Sequence, residues 1–152
     1  LRIEKMNANI LPSNRAVVAA TIDPDAYTAA AYTSDYVSLA DFESLMAVIM
    51  VGTMASTSTV DAKLVQATDS SGTSSKDITG KAITQLTEAG TDSDKQAIIN
   101  CRSDELDVAG GFTHVAVTVT VGTAASDMGA VIIGLDGRYQ PVADLASVDE
   151  VI

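Results

Sequence analysis

The sequence predicts an all-β chain: one β-sandwich or barrel-like domain, residues 35–152, preceded by an extended amino-terminal arm, residues 1–34. Three observations carry that expectation. The 152 residues and 15.7 kDa suit one compact domain, which at this size buries roughly 70% of its unfolded surface. From Tyr36 onward, short runs rich in Val, Ile and Thr are separated by clusters of Gly, Ser, Asp and Asn, the pattern of many short strands joined by turns. His114 to Val121 alternates strictly, with Val115, Val117, Val119 and Val121 on one face and His114, Ala116, Thr118 and Thr120 on the other, as a half-buried strand requires.

From Leu1 to about Ser34 there is no sustained period of 2 or 3.6, and Pro12 and Pro24 interrupt the chain. An extended segment cannot satisfy its own backbone, so an ordered arm has to lie along another surface, of its own domain or of a neighbour; the alternative is a loose terminus. Its basic residues Arg2, Lys5 and Arg15 are the candidate partner contacts. They also precede the apolar stretch Ala16 to Ile22, which imitates a secretion signal until Asp23 and Pro24 break it.

Six or seven strands are expected in the body, the candidates being Tyr36 to Leu39, Leu45 to Thr53, Thr59 to Ala67, Ala82 to Leu86, Gln96 to Arg102, His114 to Val121 and Gly129 to Leu135. Asp41 fits the cap of a helical turn before the second of these. In the third, Ala62, Leu64 and Gln66 share the face opposite Asp61, Lys63 and Val65. The polar tract Asp69 to Ser75 reads as a hairpin connection. Cys101, with no partner in the chain, reads as a buried structural thiol. Val51 to Ser56 and Val121 to Ser126 match at all positions but one. They are either equivalent corners of a pseudo-symmetric sandwich, with glycine supplying a special backbone angle, or simply similar turns.

Composition narrows the chemistry. Nine Lys and Arg against twenty Asp and Glu give a net charge of -11, a field that repels a phosphate backbone, so no direct nucleic-acid partner is expected. No apolar run reaches the eighteen or so residues of a membrane span, and no membrane partner is expected. Asp92-Ser93-Asp94 and Asp104-Glu105-Leu106-Asp107 carry carboxylates but lack the spacing of a calcium loop, so no metal or other cofactor is expected. Thr73 to Lys76 has a serine acyl-enzyme spacing with Thr in the nucleophile's place. His114 has no nucleophile motif to serve. The expectation is a protein that is not an enzyme, with no catalytic residues.

The stretches Phe42 to Thr53 and Thr59 to Asp69, with Lys76 to Ile78, Ala82 to Thr87 and Glu105 to Val108, resemble small virion proteins of tailed bacteriophages, especially those encoded beside the major capsid gene in phages of alphaproteobacteria. The resemblance covers residues 14–140. It implies a capsid cement, or decoration, protein on the outer surface of the virion head where capsomers meet, made in the host cytoplasm. Its implied partners are the major capsid protein and its own copies in a homotrimer. The alternatives are a tail-tube, tail-terminator or head-completion protein, or a carbohydrate-binding or receptor-binding module, against which the absence of Trp weighs.

Overall fold

The computed structural model describes residues 10–139 and 142–152. Two antiparallel sheets face each other. β1 (Ala16–Tyr27), β10 (Ser126–Gly137), β4 (Phe42–Met54) and β8 (Gln96–Arg102) form the first, in that order. The second holds β2 (Ala30–Thr33) and β3 (Val37–Ser38) end to end along β9 (His114–Gly122). β5 (Thr59–Ala67) follows, with β6 (Lys76–Ala82) and β7 (Leu86–Thr87) along its other side. Each sheet is thus four strands wide. The pairing is nested: β1 with β10, β2 and β3 with β9, β4 with β8, and β5 with β6 and β7. Every connection crosses between the sheets except those within β2–β3 and β5–β6–β7. This is the topology of an eight-stranded jelly roll.

The core is what alternation dictates. Val115, Val117, Val119 and Val121 face Leu45, Ala47, Ile49 and Val51 across the sandwich, all of them buried. β5 turns Ala62, Leu64 and Gln66 inward as expected, and Val65 is buried on its other side, in register with the equally buried Ala116. The Gln66 carboxamide oxygen accepts from the Asp107 N–H at 2.8 Å, which meets the cost of burying it. The Thr68–Ser75 connection is a hairpin: the Asp69 carboxylate accepts from the Ser71 and Thr73 amides.

Three expectations are corrected. Residues 16–33 are not an arm outside the body, because β1 and β2 are integral strands of the two sheets, one in each. Asp23 and Pro24 break the apolar stretch but do not end the strand. They form a bulge in β1, two residues opposite the single Gly129, and a Cβ on Gly129 would approach the Pro24 backbone to 3.0 Å, so glycine is what lets the bulge close. The expected strand Ala82 to Leu86 is instead a bend, residues 83–85, between β6 and β7, and the preceding Lys76–Ala82 takes the ladder. Residues 42–46 are strand without a helical turn, since Phe42 pairs with Gly137 at the end of β10.

The two similar corners are equivalent in place. Each carries the chain from one sheet to the other, β4 to β5 and β9 to β10, and the Ala55 N–H bonds the Ala125 carbonyl between them. The glycines do not supply the special angle. It falls on Thr57 and Thr123, at φ 68° and 66°, while Gly52 and Gly122 admit the close approach of Asp127 and Thr59.

After β10, the chain returns along the outer edge of β1. The Asp144 carboxylate accepts from the Val18 N–H at 3.0 Å and the Leu145 N–H donates to the Val18 carbonyl at 2.8 Å. The edge of the first sheet is thereby capped at Val18. The opposite edge, β8, has no strand on its outer side among the described residues.

Candidate interaction surface

The outward faces of the two sheets differ in kind. On the second sheet, Asp61, Lys63, Thr118, Thr120 and Thr33 point outward. They are tied by the Thr33–Thr118 hydroxyl pair at 2.8 Å, the Lys63–Asp77 ion pair at 2.7 Å and a Gln85 carboxamide donating to Asp61 at 2.7 Å. On the first sheet the register places Val18, Ile133, Met46 and Asn100 in one row, and Thr21, Val131, Val48 and Ile98 in the next. The outer side of that sheet is therefore largely apolar over β1, β10 and β4, with polar side chains along β8. Met50 and Ile98 are 55% and 57% exposed.

The sequence cause is plain in β4. Leu45 to Val51 is seven apolar residues without alternation, so the odd positions fill the core and Met46, Val48 and Met50 are left outside. A strand of this composition is normally buried on both faces. An exposed apolar patch of this kind marks a contact surface.

At one end the face deepens into a groove of about 880 Å³, whose outward apolar side chains are Val48, Met50 and Val131, with Thr21 and Gln96 beside them. Four carboxylates rim it: Asp23, Asp25, Asp94 and Asp127. Three of them share one level of the sheet. Asp25 is in register with Met128, Asp127 with Ala26, and the Asp94 N–H donates to the Gly52 carbonyl. Among the described residues none of the four is paired with a cation, whereas every described Lys and Arg faces a carboxylate of its own chain.

The residues singled out from the sequence are not brought together. Arg2 and Lys5 lie outside the described residues. Arg15 sits at the foot of β1, half exposed, 3.5 Å from Asp136. His114 is half-buried at the start of β9, its Nδ1 2.9 Å from the Thr113 hydroxyl. Lys76 leaves the Thr73 to Lys76 tract to pair with Asp107 at 2.6 Å and to lie over the Phe112 ring. Asp92, Glu105 and Asp107 are committed to turns. The Lys95 ammonium and then the Thr87 amide hold the Asp92 carboxyl below its ordinary range. The Arg102 amide and the Lys81 ammonium do the same for Glu105, and Lys76 with the Gly110 amide for Asp107. Among the described residues no three His, Cys, Asp or Glu side chains are placed to hold a metal ion, and no helix is long and apolar enough to cross a membrane. Cys101 faces the core, and burial, with the field of Glu105 behind it, pushes its thiol up to about 11.

Of the groove's rim, the sequence singles out only Asp94 as a candidate ligand, in an incomplete calcium loop. The unalternating run Leu45 to Val51 was the available signal, and it calls for a partner on the second side of its strand. The carboxylates come from β1, β10 and the turn before β8, and only the register gathers them. Compared with known proteins, the chain matches no family model and no curated protein.

Proposed function

We propose that this chain is a virion structural protein, a cement or decoration protein that binds the outer surface of a tailed-phage head at capsomer junctions and stabilises it, without enzymatic activity. The observation that carries the reading is the largely apolar outer side of the first sheet opposite a polar, hydrogen-bonded second sheet. Such a sandwich has one face for a protein neighbour and one for water. The jelly roll is compatible with this role, as it is with many others. The acidic surface keeps an outer-shell protein from adhering to nucleic acid. Repetition over a shell lets a modest contact per copy add up to a large reinforcement. The sequence resemblance supplies the class of partner, the major capsid protein, and the trimeric state.

The test is to mix the purified protein with heads that lack it and image the particles. Density of three copies at capsomer junctions is the expected result. Density confined to a portal vertex or tail, or no binding, overturns the proposal.

A further inference from the structure

We propose that the acid-rimmed groove of the first sheet receives residues 1–9 of a second copy of this chain, with Arg2 and Lys5 meeting the rim carboxylates and Ile3 and Met6 covering the apolar floor. Charge argues for this occupant. Residues 1–15 hold Arg2, Lys5 and Arg15 against Glu4 alone, a net +2, whereas the other 137 residues hold six basic and nineteen acidic side chains, a net −13. Copies with so acidic a body repel one another unless a basic segment mediates the contact. The six basic residues of the body and Arg15 are all engaged in ion pairs of their own chain. Arg2 and Lys5 are the chain's remaining cations, and the groove is where four carboxylates face no described cation.

Reach decides between a chain's own groove and a neighbour's. The turn in which the Asn14 N–H bonds the Leu11 carbonyl holds residues 11–14 at the Ala16 end of β1. Asp25, Asp127 and Asp94 lie about nine residues further up that strand, about 30 Å at the rise of an extended chain. Arg2, eight residues from Ile10, spans about 27 Å when fully extended and comes near them, but Lys5, five residues from Ile10, spans about 17 Å and stops short, so its own copy cannot bring both to these three carboxylates. A segment arriving from a second copy places Arg2 and Lys5 at the rim together. Arm into groove joins unlike surfaces, a heterologous contact that closes into a ring when the rotation allows. Closure at three copies rests on the trimer of the proposed function; the contact itself does not.

The experiment uses the full chain in solution, by sedimentation and native mass spectrometry, with circular dichroism to confirm folding. The wild type is expected to form a closed oligomer. Arg2→Glu with Lys5→Glu, and separately Asp94→Lys with Asp127→Lys, should each weaken it by at least about tenfold, and more weakly at high salt. Mixing the two variants should restore association between unlike partners, seen as hetero-complexes by native mass spectrometry, because the acidic arm of the first meets a rim that now carries two ammonium groups and the unaltered arm of the second meets the unaltered rim of the first; such alternation closes only at even copy numbers. A monomeric wild type, or an oligomer indifferent to both variants, or no rescue on mixing, overturns the inference. A monomer that still decorates heads would sink this inference alone, and an oligomer that does not bind them would sink the proposed function alone.

Discussion

The buried Ser58 hydroxyl donates to the Ala124 carbonyl at 2.9 Å, tying together the two corners through which the chain passes between sheets. Ser58→Ala takes away that carbonyl's partner at a half-buried corner, and the expected loss of stability is about 1 kcal/mol. Urea denaturation with an unchanged slope measures it. A loss near zero would mean that the corners are held by their backbone bonds alone.

Register on β9 makes a second prediction. Val117 is fully buried between the sheets, while Thr118 faces out beside Lys63. Val117→Asp is expected to cost more than about 3 kcal/mol or to prevent folding, as an unpaired buried charge does. Thr118→Asp should cost less than about 1 kcal/mol. Thermal melts of the two variants decide it, and equal effects would contradict the facing.

Much of this was legible before any coordinates. Thr59–Ala67 and Gln96–Arg102 match the expected strands to the residue, because β-branched residues and bounding turns coincide there. β1 escaped notice because Asp23 and Pro24 look like an interruption, and only Gly129 on a strand a hundred residues away makes room for the bulge. The interaction surface was half legible. An unalternating run announces an apolar outer face, but nothing local in Asp94 or Asp127 says that they meet.

Gly134 lies under the Phe42 ring, which occupies the space a Cβ would take. Gly134→Ala is expected to destabilise by about 1–3 kcal/mol through overpacking. Combined with Phe42→Leu, the loss should be less than the sum of the two single losses, since the residues share one space. A double-mutant cycle in denaturant reads the coupling, and strict additivity would refute the contact.

Acid should weaken the fold in a defined window. Glu105, Asp92 and Asp107 all have lowered native pKa values, from the amide and ammonium partners given above. The stability they add is complete above the ordinary carboxylate range, about pH 4–5, and is lost as pH falls through their lowered native values. Melting temperature should therefore decline below about pH 4. Lys81→Met should shrink the share due to Glu105; an unchanged acid profile would exclude that pair as a contributor.

The Cys101 thiol, buried and raised to about 11, should resist a disulfide reagent at pH 8 in the native protein. Modification should instead follow opening of the fold, so its rate should rise with urea. Fast labelling in buffer, independent of urea, would show that the site is reachable without unfolding.

The pairing of β1 with β10 sets the order of assembly in time. The first sheet needs both the first and the last of the described strands, and the segment that bonds Val18 is later in the chain still. The complete sandwich is thus available only once β10 has been made, and its closure is a slow, long-range step. During synthesis the apolar runs of β4 and β8 wait without their neighbour β10, so the acidic charge of the emerging chain is its protection against association until the last strand arrives.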